Sequence, residues 1–247
     1  MLSIIYLVLM SLLAGVLTGI VGMASLTLYP VLLSAGVAPI TANATITVAQ
    51  VGGGLGTVTS SLRELHGHWK QAFQIAILNT LGGVLGALIL IHSTNSGFKK
   101  LVPVFIMLAG ILILTPKRHG KPAFDSRIIT AVSWVSTFLV GIYTGYFGAA
   151  SGLLMIAVLS KIVHENYAIY NSMRNFASFM NNIVAATMFI FTIPIDWAVI
   201  IPLLLGLFTG GYIGPIIVRY IPSKVIKTAV GIFAVVLAII LGYQAYL

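Results

Sequence analysis

Apolar residues fall into eight long runs, at about 4–35, 40–61, 71–92, 101–115, 128–160, 167–192, 196–218 and 223–246. The breaks between them hold nearly every charge: Arg63 to Lys70, Lys99-Lys100, Lys117 to Arg127, Lys161 to Glu165, Asp196, and Arg219 to Lys227. A helix of about 20 apolar residues crosses a hydrocarbon core. Without water, the backbone of each run must satisfy itself as helix or lie buried in protein. The pattern predicts an all-α polytopic membrane protein.

Composition agrees with the pattern. Of 247 residues, 59% are hydrophobic and only 7% charged, and the mean hydropathy is +1.09. A soluble domain carries about 25% charged residues. The net charge of +9 could point to nucleic acid, but the cations sit beside apolar runs, where membrane orientation requires them. Nucleic acid is therefore set aside as a partner; the bilayer, a small solute and a second copy of the chain remain. Cysteine is absent, which removes thiolate and disulfide chemistry.

The chain repeats itself. Gly15, Thr18, Gly19, Gly22, Ala24 and Ser25 recur as Gly141, Thr144, Gly145, Gly148, Ala150 and Ser151 at an offset of 126. At an offset of 128, Asn43 falls on Asn171, Trp69 on Trp197, Gly82-Gly83-x-x-Gly86 on Gly210-Gly211-x-x-Gly214, and Lys99 on Lys227. This predicts two homologous membrane repeats, 1–115 and 127–247, joined by a polar cytoplasmic linker at 116–126. Because the first apolar run recurs inside the chain, it reads as part of the fold and not as a cleaved signal.

Charge also orients the halves. At 1.5 Å per residue, a straight 4–35 helix would be much longer than the roughly 30 Å core. If 4–35 and 128–160 break at Gly19–Gly22 and Gly145–Gly148 and return as hairpins, ten basic residues gather on one side, leaving only Lys99 and Lys100 opposite. If both runs cross once, the division is six against six, which violates the positive-inside bias. The expectation is two inverted repeats, each a re-entrant helical hairpin plus three spanning helices. The chain would then be a multi-pass plasma-membrane or inner-membrane protein with both termini on the non-cytoplasmic side.

Candidate chemistry lies in the polar residues inside the runs. Gly15, Gly19, Gly141 and Gly145, with Gly82, Gly86, Gly210 and Gly214, have the spacing of close helix packing. Gly22 and Gly148 instead precede Ser25 and Ser151, where a second short helix starts and free N–H groups can face an anion. Asn43, Thr47, Gln50 and Gly54 form a stripe at helical spacing, matched by Asn171, Asn175, Ser178 and Asn182 in the second half. Such amides either bond neighbouring helices or line a shared cavity.

Arg174 is the one cation well inside an apolar run. It pairs with Glu165 near the membrane surface, or it faces a cavity and grips an oxyanion with its guanidinium fork. His66-x-His68 reads as interfacial, and no metal or cofactor is expected. No catalytic pair lies within a run and no phosphate-binding Gly-Lys-Ser/Thr loop is present, so the chain is read as neither an enzyme nor an ATPase. Any coupling would be to a proton or sodium gradient.

Gly15-x-x-x-Gly19-x-x-Gly22-x-x-Ser25, followed by Pro30-x-Leu32-Leu33 and Asn43 and then repeated, resembles the TauE/SafE sulfite exporter family. Where members carry a glycine run, this chain has Met23-Ala24-Ser25 and Ala149-Ala150-Ser151-Gly152. The resemblance implies a secondary transporter of sulfite, sulfonates or related sulfur anions; the alternatives are an anion channel and a carrier of non-sulfur carboxylates. The substrate-binding set expected is Gly22, Ser25, Asn43, Thr47, Gln50, Gly148, Ser151, Asn171, Arg174, Asn175 and Ser178.

Overall fold

The computed structural model describes residues 4–114, 126–163, 165–220 and 223–246. They form helices α1 (Ile4–Val21), α2 (Ala24–Ser34), α3 (Pro39–Ser60), α4 (Leu62–Leu65), α5 (Trp69–Ile91) and α6 (Asn95–Leu114). After them come α7 (Ser126–Tyr146), α8 (Ser151–Ile162), α9 (Tyr167–Thr192), α10 (Trp197–Val218) and α11 (Ser223–Tyr246). No strand occurs among the described residues. The linker expected at 116–126 lies outside the described residues except for Ser126, which opens α7.

Both long runs are broken. Gly22 stands at φ +75° between α1 and α2, and Gly148 at φ +72° between α7 and α8. Only glycine takes this conformation without strain. Ala150, at φ +59°, completes the second turn. The short helix α4 lies in a break that the apolar pattern left unassigned, and α6 starts at Asn95. Lys99 and Lys100 therefore sit on its first turns instead of before it.

The molecule is organised inside out. Phe191, Ile5 and Ile201 are 82%, 71% and 70% exposed, whereas Asn43, Asn79, Asn171 and Asn181 are each 1% exposed. Apolar residues outside and amides inside suit a hydrocarbon surround. By length and apolar character, α1, α5 and α10 qualify as membrane-crossing helices, and α2 and α8 are shorter apolar helices. α3 and α9, at 22 and 26 residues, are comparable in length with α5 at 23, but buried amides and hydroxyls lower their hydropathy.

Helices of the two halves interleave. α1 packs on α10, and α7 on α5; α3 leans on α10, and α9 on α5. α3 meets α9, and α6 meets α11. Glycine makes these crossings backbone to backbone. A Cβ on Gly15 would stand 2.6 Å from the Leu207 carbonyl oxygen, and one on Gly19 2.6 Å from Pro215 Cδ. In the other pair, Cβ atoms on Gly82, Gly86, Gly141 and Gly145 would collide with the carbonyls of Phe138, Ile142, Asn79 and Gly83.

Outside the core, Arg219, just past α10, clasps α4. Its Nε donates to Glu64 Oε1 at 2.7 Å, and its Nη2 to Glu64 Oε2 at 3.0 Å and to the Ser60 carbonyl at 2.8 Å. Burial alone would raise the Glu64 pKa, but the Arg219 hydrogen bonds and charge outweigh it, and the carboxyl titrates below its usual range. Because the folded-state value is the lower one, the clasp is complete above the ordinary carboxylate range and is lost as pH falls through the depressed value. Glu64→Gln should therefore lower the melting temperature in detergent near neutral pH, by an amount worth up to about 1 kcal/mol. The gap to wild type should close in acid; a gap that persists there would deny the clasp its charge.

Glycine packing gives a second test. Gly86→Ala drives a methyl into the Ile142 carbonyl and should cost about 1–3 kcal/mol. Gly242→Ala, whose methyl would meet Pro103 Cβ at an ordinary 3.7 Å, should leave the melting temperature unchanged or slightly higher. Equal stability of the two variants would count against the close crossing.

Candidate functional site

The two helix breaks touch. A Cβ on Gly152 would collide with the Val21 carbonyl and Gly22 Cα, so the start of α8 lies against the end of α1. Around this junction is a cavity lined by Thr18, Gly22, Ser25, Thr47, Gln50, Gly54, Thr57, Thr144, Phe147, Gly148, Ser151, Arg174, Asn175, Ser178, Phe179 and Asn182. The free space at its centre is about 20 Å³, room for a water molecule and little more. Every lining residue comes from a broken hairpin or from α3 and α9.

The starts of α2 and α8 bring Ser25 and Ser151 to this wall, and neither start carries a side-chain cap. The first N–H groups of a helix lack i−4 partners and carry partial positive charge, so an uncapped start is a donor surface. At α8 the Ser151 and Leu153 N–H groups already donate to the Gly148 and Ala150 carbonyls at 3.1 and 3.0 Å, which leaves the α2 start the more open of the two. Along α3 and α9, Asn182 donates to Gln50 at 3.4 Å and Gln50 donates to Ser25 Oγ at 3.0 Å. This chain links three of the six helices that form the wall, α9, α3 and α2. Asn175 donates to Ser61 Oγ at 3.5 Å, and its own carbonyl oxygen is buried without a partner.

Nine of the eleven residues expected to bind substrate lie on the cavity wall. Asn43 and Asn171 do not. Asn171 donates to the Gly19 carbonyl at 3.0 Å, and Asn43 to the Tyr146 carbonyl at 3.1 Å. Each therefore satisfies a carbonyl in the last turn of a broken helix, the one place in that helix where carbonyls lack a partner. Tyr167 adds to the first cap by donating to the Ile20 carbonyl at 2.9 Å.

Arg174 is fully buried and lines the cavity, so pairing with Glu165 at a surface is excluded by its position. Its fork is not free either. Nη1 donates to the Thr18 carbonyl at 2.9 Å, and Nη2 donates to the Gly19 carbonyl and to Asn171 Oδ1. Only Nε is buried without a partner. The guanidinium thus sits on the carbonyl end of α1 and brings its charge to the cavity without offering a bidentate grip.

The stripes missed Thr18, Thr57, Thr144, Phe147 and Phe179. Thr18 and Thr144 are equivalent in the repeat, which was the available signal. Phe147 is held by edge contacts with Tyr29 and Phe98, ring centroids 5.4 Å apart in each case. His66 and His68 lie elsewhere, beside Arg63, Glu64 and Arg219, and His68 Nε2 approaches Glu165 at 3.7 Å. Among the described residues, no cluster of metal-binding side chains is present.

Comparison with known proteins fits this picture. A probable membrane transporter protein, YfcA, of Escherichia coli K12 is 25% identical over 238 residues, covering 96% of this chain and 88% of that protein. A probable membrane transporter protein, ORF9, of a Sinorhizobium species is 24% identical over 227 residues, covering 92% and 87%. A third, from Haemophilus influenzae, is 26% identical over 203 residues, covering 81% and 79%. No solved structure matches the chain. Residues 7–241 match the family described as sulfite exporter TauE/SafE, and the chain belongs to that family of membrane transporters.

Proposed function

We propose that this protein is a secondary carrier of small sulfur-containing anions such as sulfite and sulfonates, which load between the two helix breaks. The observation that carries the reading is the cavity at Gly22–Ser25 and Gly148–Ser151, where two uncapped helix starts and buried Arg174 face one space. Helix starts and amides supply donors without fixed charge, so an anion can be held and still released. The Asn182–Gln50–Ser25 chain presents further donors that can turn toward a ligand. The centre admits about one water, which favours a carrier that must open over a standing pore. Loading then requires the hairpin tips to part.

The same reading makes the halves inverted repeats, 1–115 and 127–247, each a hairpin plus three crossings, with both termini outside the cytoplasm. The interleaved contacts support it, because each pairing has its counterpart after exchange of the halves. A gradient of protons or sodium would drive the cycle, with no bound cofactor, and a second copy of the chain could join it in the membrane.

Two experiments test this. Purified protein should gain thermal stability with sulfite, methanesulfonate or isethionate, because binding to the native state raises apparent stability. Gln50→Leu, which breaks the hydrogen-bond chain, should weaken that binding about tenfold. No stabilisation by any of these anions would reject the substrate class. For topology, single cysteines in a chain that has none should label from opposite sides at 92–100 and 161–165, which the parallel arrangement would place on one side. Labelling from one side would sink the inverted arrangement.

A further inference from the structure

We infer that the cavity is charge-matched to a singly charged oxyanion and discriminates against dianions, with Arg174 setting that choice. The inference rests on the proposed role of the cavity as the substrate site. Among the described residues, Arg174 is the only formally charged one on the wall; the others are glycines, hydroxyls, amides and two phenylalanines. Among the described residues, the carboxylates Glu64, Glu165 and Asp196 all lie outside that wall.

Four helix ends also meet there: the carbonyl ends of α1 and α7 and the N–H ends of α2 and α8. Each carries the equivalent of about half a charge, negative at carbonyl ends and positive at N–H ends. They cancel in pairs because each break joins one of each kind. The remaining net charge is that of the guanidinium, held in place by the Thr18 and Gly19 carbonyls with its Nη1 pressed against Gly22. The unpartnered Nε–H is the group left to answer a ligand.

A monoanion therefore makes the loaded site neutral, whereas a dianion leaves one uncompensated charge in a low-dielectric interior. Uncompensated buried charge should weaken binding by about a hundredfold or more. Among the described residues, the wall also holds no carboxylate or imidazole that could carry a proton. A proton that crosses with the substrate then rides on the substrate itself, as in hydrogensulfite. For sulfite, affinity should follow the monoanion fraction, dropping about tenfold per pH unit above its second ionisation.

The test is binding to the purified full-length protein, read by calorimetry or thermal shift, with methanesulfonate, sulfate and sulfite as probes. Methanesulfonate should bind independently of pH across neutrality. Sulfate should bind at least about a hundredfold more weakly, and sulfite should tighten as pH falls. Arg174→Lys should keep the preference for methanesulfonate with weaker binding, and Arg174→Gln should lose binding of methanesulfonate. The wild-type comparison needs neither variant to fold. Sulfate binding as tight as methanesulfonate, or sulfite affinity indifferent to pH, overturns the charge match while leaving the anion site standing. Binding of none of the three overturns the anion site and the charge match with it.

Discussion

The structure depends on what happens to backbone polar groups where a helix stops inside an apolar surround. Each break, at Gly22 and Gly148, frees the last carbonyls of one helix and the first N–H groups of the next. In a soluble protein water would answer them; within hydrocarbon each orphan costs several kcal/mol. The molecule answers the two kinds of end differently. Carbonyl ends are closed by side chains, Asn171, Tyr167 and Arg174 on α1 and Asn43 on α7. N–H ends are left without side-chain caps and face a common cavity. Selective capping turns a backbone liability into a donor surface.

Keeping those ends together needs close helix approach around them. Hydrophobic burial cannot supply it, because lipid tails are as apolar as the helix faces. Glycine at the crossings replaces it with backbone contact: Gly15 and Gly19 of α1 on α10, and Gly141 and Gly145 of α7 on α5. Each hairpin is thus clamped by a helix of the opposite half, and the breaks are brought tip to tip at Gly22 and Gly152. A bulky residue at any of these glycines would act on the cavity from a distance, by moving a tip.

Most of the helices were legible because apolar runs bounded by charge have one structural solution in a membrane. The breaks were legible because the runs are too long to cross straight and carry glycine at matching places. The site was legible where spacing alone decides which way a residue faces: Thr47 and Gln50, Asn175 and Ser178 all reach the cavity. Asn43 and Asn171 share those stripes but begin them, and a helical side chain leans toward the preceding turn. That lean carries them to the carbonyl ends of α7 and α1. Arg174 was legible as buried but not as already engaged, since the acceptors it uses are backbone carbonyls that no sequence pattern marks. Phe179 and Thr57 complete the wall through tertiary packing, which no periodicity encodes.

The halves are alike in plan and unlike in chemistry. The positions equivalent to Tyr167 and Arg174 are Pro39 and Ile46, so α3 closes the α7 end with one asparagine, whereas α9 closes the α1 end with three side chains. The clamps differ as well. Asn181 donates to both oxygens of Asn79 at 3.0 Å, pinning α9 to α5, while the equivalent place in the other half sets Gly53 against Leu207. A polar pin with defined partners resists sliding more than an apolar glycine contact does, because moving it leaves buried polar groups unanswered. The α5–α9 contact is therefore stiffer than its counterpart between α3 and α10. Arg174 belongs to α9 but donates to the Thr18 and Gly19 carbonyls of α1, so any motion of α1 would move those acceptors relative to the charge they hold.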